Sequence, residues 1–382
     1  MHLSSASFSY PQHHGPDRAE LARRLTESGS VEDGLVLATC LRLEVVVPGD
    51  ISHLDGVLSG LFGVLPGGVE PLRRDGERAV THLFRVAAGL ESPILGEAEI
   101  LTQFRQTLLQ AEESGQVTGL LARLLETAVS VGRQARELIP GSPHNSMAAV
   151  AAQAIGLADR VAVLGSGIMA TAVAQGLLQL PAPPAVTVVA RQPEKVAVGD
   201  FVEVWPFQRA AEALSSFPAV ISATSAQGRL VDDATMSLAF ARRTTPLTLV
   251  DMAMPPDFRP ERSSMVSYID IDALAMMADR RPRTLEADSF VESAASDAYR
   301  QYRDHHEVAP LIEDLMRSAD EIVDRTVGRF AGKLGSPADE SVLRQAAHTV
   351  ARTLLAGPVS YVKQADPEIV DVVADVFGVV DE

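Results

Sequence analysis

Cysteine is almost absent: a chain of 382 residues carries one, Cys40. An intramolecular disulfide is excluded, and any thiol chemistry falls to that residue. Long apolar runs are missing too. No stretch reaches the roughly 20 uninterrupted apolar residues that span a bilayer, and the segment 1–14 lacks a basic start leading into an apolar core. A soluble, cytoplasmic protein with no membrane partner is expected. Positive charge is scarce: 33 Lys and Arg against 50 Asp and Glu give a formal −17 at pH 7. Because phosphate contacts are the main nonspecific attraction to nucleic acid, this balance argues against a broad nucleic-acid surface and against DNA as a partner. A local patch could still hold an RNA, at Arg18, Arg23 and Arg24 or at Arg242, Arg243, Arg280, Arg281 and Arg283, although such runs are more often solvated faces.

What is present is a globular composition, 46% hydrophobic and 22% charged, long enough for two or three domains with cores of their own. In the first third, apolar spacing predicts helices over 17–25, 50–62, 76–88, 97–112 and 120–138, and strands over 34–38 and 42–47. The turn between those strands presents Cys40 at a strand end. The Pro- and Gly-containing segment 140–146 breaks the pattern and marks a domain boundary. Beyond it come a helix over 147–157, a strand over 161–164, a helix over 171–180, and further strands over 185–190, 219–224, 247–253 and 265–269, the cadence of a parallel sheet with crossover helices. From Ile271 the pattern turns helical, over 271–277, 285–330 and 340–362. The apolar residues of the long stretch recur at helical spacing over a length that no single compact helix needs, which predicts partner helices and a homodimer. The expected fold is α/β and multidomain: an α+β domain at 1–143, a Rossmann-like domain at 144–275, and an all-helical segment at 276–382.

The strand 161–164 runs directly into Gly165-Ser166-Gly167-Ile168-Met169-Ala170, the Gly-x-Gly-x-x-Gly/Ala fingerprint of a dinucleotide site. Its first glycine permits the tight turn, its second lets a pyrophosphate approach the backbone, and a small third residue lets the helix pack closely. An NAD enzyme would place an acid after the next strand, but this chain has Arg191, suited to a 2′-phosphate, so NADPH is the expected cofactor. Thr224 and Ser225 close a later strand beside the nicotinamide end, as does 251–256; the plain alternative makes both simply tight strand exits.

Cys40 could attack an activated ester, with Arg42 favouring the thiolate or holding a substrate carboxylate, and a hydride delivered to the thioester would yield an aldehyde. His82, with Arg85 one turn ahead, could protonate the departing alcohol. Glu91, Ser92, Glu97 and Glu99 could orient a substrate amine and carboxylate, or cap helices. Each has a plain structural reading: Cys40 follows an apolar run, and His82 could be a helix-face filler. No metal site is expected.

Ala38-Thr39-Cys40-Leu41-Arg42-Leu43-Glu44, the stretch from His82 to Ile100, the Gly165 fingerprint, Asp251-Met252-Ala253-Met254-Pro255 and Tyr268-Ile269-Asp270-Ile271-Asp272 together resemble the glutamyl-tRNA reductase family over almost the whole chain. The resemblance implies a catalytic domain at 1–143, an NADPH-binding domain at 144–275 and a long spinal helix leading to an all-helical dimerisation domain at 276–382, and with them NADPH-dependent reduction of glutamyl-tRNA to glutamate-1-semialdehyde, the first step of five-carbon tetrapyrrole synthesis. It makes Cys40 the thioester nucleophile, assisted by His82, and gives Thr39, Arg42, Glu44, Arg85, Ser92, Glu97 and Glu99 to the substrate. Charged tRNA, a second copy of the chain and a downstream aminomutase are the implied partners. Leu41, Leu43 and Glu99 replace the family's asparagine, threonine and glutamine, and Tyr10 stands at the family's histidine. Glu99 is expected to pair with Arg42 or Arg85 and to loosen the hold on a glutamyl carboxylate. The departures keep two alternatives open: a paralogue with another aminoacyl donor or non-reductive acyl transfer, and a catalytically silent ligand-binding or regulatory dimer.

Overall fold

A computed structural model of the chain describes residues 2–28, 31, 33–65, 68–139, 146–196, 202–224, 230–259, 264–278, 284–331, 337–362, 372 and 376. They divide into two compact units, 2–296 and 297–382. The first opens with β1 (Leu3–Ser9), α1 (Gly15–Ser28), β2 (Leu35–Ala38), β3 (Arg42–Pro48), α2 (Ile51–Phe62), β4 (Leu72–Asp75), α3 (Gly76–Ala87), α4 (Ala98–Glu113) and α5 (Gly119–Glu137). The four strands form an antiparallel sheet in the order β2-β3-β1-β4.

The expected hairpin is β2–β3, with Ala38 opposite Leu43 across the Cys40 turn. The central strand β1 was not among the expected elements. Its sequence, Leu-Ser-Ser-Ala-Ser-Phe-Ser, lacks the β-branched apolar run that signals a buried strand, yet Ser4, Ser5 and Ser7 are fully buried. Period-two alternation explains the two faces of this sheet. Ala6, Phe8, Leu43, Val45 and Val47 enter one core with Leu21, Leu54 and Leu58, so Arg42 and Glu44 point to the opposite face, where α3 lies.

The same unit continues with α6 (Met147–Ala154), β5 (Arg160–Leu164), α7 (Ile168–Leu178), β6 (Ala185–Ala190), β7 (Val202–Pro206), α8 (Ala210–Ser216), β8 (Ala219–Ser222), α9 (Asp233–Ala241), β9 (Leu247–Asp251), β10 (Val266–Asp270), α10 (Ile271–Met277) and the first turns of α11 (Leu285–Ala331). β5 to β10 are all parallel, in the spatial order β7-β6-β5-β8-β9-β10. Counted along the chain this is 3-2-1-4-5-6, the doubly wound order, whose direction reverses between β5 and β8; ligands bind in the crevice outside the carboxyl ends at such a reversal. Val161 and Val163 pack on one face with α6, α7 and α10, while Ala162 and Leu164 pack on the other with α8 and α9. Leu41 and Ile94 join the first of these cores, so the Cys40 turn shares packing with the parallel sheet.

The second unit holds the remainder of α11 and α12 (Pro337–Val362). Within it Arg344 pairs with Asp324 and Glu340, and His348 Nδ1 lies 2.8 Å from Asp320. Val342, Leu343, Val350, Leu354 and Tyr361 of α12 are exposed. Among the described residues no helix is long and apolar enough to cross a membrane.

Candidate active site

Thr39 builds the turn that carries Cys40. Its N–H donates to the Arg42 carbonyl at 2.8 Å, and its Oγ1 accepts from the N–H of Arg42 at 3.2 Å. Cys40 keeps part of its surface and lines a cavity of about 910 Å³. Thr39 and Glu99 share its wall, along with Gln103, Gln106 and Gln110 of α4. The glutamines were missed from sequence. The polar positions 99, 103, 106 and 110 fall three or four apart, so they make one stripe on a helix, and that stripe was the available signal.

The same cavity is lined by the dinucleotide fingerprint: Gly165, Ser166, Gly167, Ile168 and Met169, with Arg191 and Thr224. Gly165 has φ +122°, and a Cβ there would lie 2.6 Å from the Ala223 carbonyl oxygen and 3.3 Å from the Ala170 Cβ. Only glycine fits the close crossing of β5 and the strand exit after β8, and Ala170 fills the space beneath it. α7 begins one turn earlier than its apolar spacing suggested, because Gly167 is its N-cap. No side chain caps that end, and a Cβ on Gly167 would meet nothing within 4 Å. Backbone N–H groups at the positive end of a helix, with open space above a glycine, suit a pyrophosphate, so these residues fit a dinucleotide.

The thiol of Cys40 is pushed up to about 12, first by lost solvation and then by the Glu97 carboxylate; Arg18 and, to a smaller degree, Arg42 oppose the shift. Arg42, expected to favour the thiolate or to hold a substrate carboxylate, does lower the thiol, but Arg18 acts more strongly. Glu97 is itself raised to about 7 by burial and by Glu99, against Arg42 and the Met147 N–H. At the exit of β8, Ser222 Oγ donates to Asp257 at 2.5 Å, and Thr224 Oγ1, on the cavity wall, donates to it at 2.9 Å. Asp251 accepts from Tyr268 and from the N–H groups of Ala253 and Phe258, which shapes the loop from which Met252 and Met254 reach the cavity. Burial raises Asp251 to about 7, with Asp257 adding to it, and raises Asp257 to about 6.

Several expected site residues lie elsewhere. Arg42, Glu44 and His82 do not line this cavity. They form a buried network behind the Cys40 strand: Arg42 Nη1 donates to Glu44 at 3.3 Å and Nη2 donates to the Glu91 carbonyl, His82 Nε2 lies 3.1 Å from Glu44 and 2.9 Å from Ser7 Oγ, and Ser7 donates to Glu44 at 2.5 Å. Nε2 of His82, the residue expected to protonate a leaving alcohol, is thus engaged inside the fold. Burial raises the Glu44 carboxyl, but His82, Arg42 and the Ser7 hydroxyl outweigh it and hold the group below the ordinary carboxylate range. Arg85 pairs with Glu91 at 2.7 Å, with Asp288 at 2.7 Å and with Glu292 at 3.4 Å, fastening α3 to the start of α11. Ser92 sits in a turn, its N–H donating to the Gly89 carbonyl.

The expected Glu99 pairing with Arg42 or Arg85 is not formed, since both arginines are taken by other acids. Glu99 Oε2 is buried without a hydrogen-bond partner, and lost solvation raises the carboxyl. Two members of the arginine groups considered for RNA are withdrawn from the surface. Arg18 is buried, and Arg243 is buried with its guanidinium donating to the carbonyls of Leu214, Phe217 and Pro246. Ser225, Arg280, Arg281 and Arg283 lie outside the described residues.

Comparison with known proteins adds sequence relationships to this geometry. The family model "Glutamyl-tRNAGlu reductase, N-terminal domain" matches residues 9–138, "Shikimate / quinate 5-dehydrogenase" matches 149–277, and "Glutamyl-tRNAGlu reductase, dimerisation domain" matches 286–379. A glutamyl-tRNA reductase of Geobacillus kaustophilus is 30% identical over 371 residues, covering 90% of this chain and 81% of that protein. One of Kineococcus radiotolerans is 30% identical over 378 residues, covering 90% and 83%. The solved glutamyl-tRNA reductase of Methanopyrus kandleri aligns with a TM-score of 0.47 at 24% identity, covering 98% of this chain and 97% of that one.

Proposed function

The chain belongs to the glutamyl-tRNA reductase family, and on that premise we propose that it reduces glutamyl-tRNA to glutamate-1-semialdehyde, opening five-carbon tetrapyrrole synthesis. It is an oxidoreductase with a Rossmann-like nicotinamide domain and a dimerisation domain, working as a homodimer. The observation that carries the reading is one cavity lined by both Cys40 and the Gly165 fingerprint. We assign catalysis to 1–143, the nucleotide to 144–275 and dimerisation to 276–382.

In this reading the Cys40 sulfur attacks the ester carbonyl, the carbon–oxygen bond to the tRNA breaks, and the thiol proton leaves with the tRNA hydroxyl. Glu97, raised to about 7 and acting on Cys40, is the nearby group able to carry a proton near neutral pH. Thr39 and Glu99 bound the acyl end, while Gly165, Ser166, Gly167, Ile168, Met169, Ala170 and Thr224 hold the dinucleotide. NADPH, when bound, supplies the hydride that converts the thioester to aldehyde. The sulfur then leaves as thiolate and takes back a proton. Arg42, Glu44 and His82 hold the Cys40 strand from behind, and Arg85 and Ser92 stiffen the segment leading to Glu97. The product carries an amine beside a reactive aldehyde, which suits handover to an aminomutase in the cytoplasm.

In this reading NADPH is preferred over NADH because Arg191, exposed at the cavity just after β6, is placed to receive a 2′-phosphate were the cofactor bound there. Single-turnover aldehyde formation from glutamyl-tRNA tests the reaction, and Arg191→Ala tests the cofactor. Loss of one charge-assisted contact should weaken NADPH binding roughly 10- to 100-fold and leave NADH unchanged. No aldehyde in a single turnover would remove the reductase reading, and equal NADPH and NADH affinity in the native protein would remove the Arg191 assignment.

One observation favours a second reading, in which the acyl group differs from glutamyl. The unpartnered Glu99 oxygen, on a residue that lines the same cavity as Cys40, would repel a substrate carboxylate and welcome a donor. Under this reading Glu99→Gln raises the single-turnover rate with glutamyl-tRNA relative to other aminoacyl-tRNAs. An unchanged profile keeps the glutamyl assignment.

A further inference from the structure

Arg18 is 1% exposed, although it belongs to the first turns of α1, where an arginine ordinarily faces water. Its Nη2 donates to Asp272 Oδ1 at 2.5 Å and to the Cys40 carbonyl at 3.2 Å, and its Nη1 donates to the His13 carbonyl. Asp272 lies in the first turn of α10, directly after the last strand of the parallel sheet, and its other oxygen accepts from the Gly15 N–H at 2.6 Å. One carboxylate therefore grips both the start of α1 and the arginine that holds the Cys40 backbone. A buried ion pair is weak evidence for stability, since desolvation offsets much of its attraction. Arg18 Nε is also left without a partner, so the site is not optimised for stability alone. What the arrangement does specify is distance. The nucleophile belongs to the antiparallel sheet and the nucleotide to the parallel one, and hydride transfer requires the two to be held within a narrow range.

We propose that Arg18 and Asp272 are positioning residues that lock the Cys40 turn against the nucleotide-binding sheet at the separation hydride transfer requires. The proposal deepens the reductase reading and rests on it. Arg18 has a second, electrostatic consequence. The charged groups acting on Cys40 are Arg18 from α1, Arg42 from β3 and Glu97 ahead of α4, and of the two arginines Arg18 has the larger lowering effect on the thiol. Asp272 faces Arg18 and, at 3.9 Å, His14.

The test separates acylation, hydride transfer and thiol reactivity in the full-length protein. Asp272→Asn should still bind NADPH and still accumulate the Cys40 thioester when NADPH is withheld, whereas its single-turnover hydride step should slow roughly 100-fold. Arg18→Gln should slow the same step. It should also lower Cys40 alkylation by iodoacetamide several-fold at about pH 8, because removing a cation reduces the thiolate fraction. Asp272→Asn removes an anion and should not lower it. A purely structural role would depress melting temperature without this split. Should Asp272→Asn not fold, Asp272→Glu keeps the ion pair one methylene longer and should show near-native alkylation with a slowed hydride step. Native hydride rates in the folded variants overturn the proposal. If the native protein forms no thioester, the reductase reading fails instead, while the alkylation arm still tests the contact between Arg18 and Cys40.

Discussion

Cys40→Ser is expected to lower single-turnover aldehyde formation by roughly 10³-fold or more, the scale seen when a nucleophile that acts as part of a unit is removed. The side chain ends a tight turn built by Thr39 and packs only partly, so the same substitution should change the melting temperature little. The two measurements together distinguish a reacting thiol from a core filler. Because lost solvation and Glu97 push the thiol up to about 12, the resting group is protonated at neutral pH. Alkylation of the free enzyme should therefore be slower than that of an ordinary cysteine, and the thiolate must form as substrate binds. Mass analysis of protein incubated with glutamyl-tRNA and no NADPH should find the acyl group on Cys40. Product formed at an undiminished rate by Cys40→Ser would remove the nucleophile assignment.

Glu44→Ala should destabilise the fold by about 3–5 kcal/mol, the cost typical of breaking a buried ion pair from one side. The carboxylate is fully buried and is held by Arg42, His82 and Ser7, so its loss strands a buried guanidinium and a buried hydroxyl. The direction of its pH dependence follows from linkage. The folded-state carboxyl is held below its ordinary value of 4.5, so its stabilisation is present in full above that value and fades as pH falls through the lower folded value. Denaturant melts of native and Glu44→Ala protein should differ most near neutrality and converge in acid. A variant of native stability, with only KM for glutamyl-tRNA changed, would mean that Glu44 contacts the substrate after all.

Much of the scaffold follows from local pattern. The β2–β3 hairpin, α3, α4, α5, the parallel strands β5, β6, β8, β9 and β10, and α11 lie close to where apolar periodicity puts them, because a segment's own spacing decides which face it can bury. β1, β4 and β7 do not. β1 is Ser-rich and is a strand because β3 and β4 flank it on both sides, and β4, Leu-Arg-Arg-Asp, has no apolar face of its own. The edge strand β7 is short and carries Glu203 between two valines, a pattern too brief to read without its neighbour β6.

The site divides along the same line. That Cys40 ends a strand and that Gly165, Gly167 and Ala170 join a strand to a helix is determined by residues adjacent in sequence, since turn chemistry and helix starts act within a few positions. Which groups meet is not. His82 reads in sequence as a free acid–base group but is bound to Ser7, 75 residues away, and Arg18 reads as a surface charge but is buried against Asp272, 254 residues away. Glu99 carries a charge whose two expected partners are both taken by other acids. Residue type and spacing determine what chemistry a side chain can perform. Only the packing of distant elements decides its solvation and its neighbours, and those set whether an ionisable group becomes a reactant, a strut or an unpaired charge.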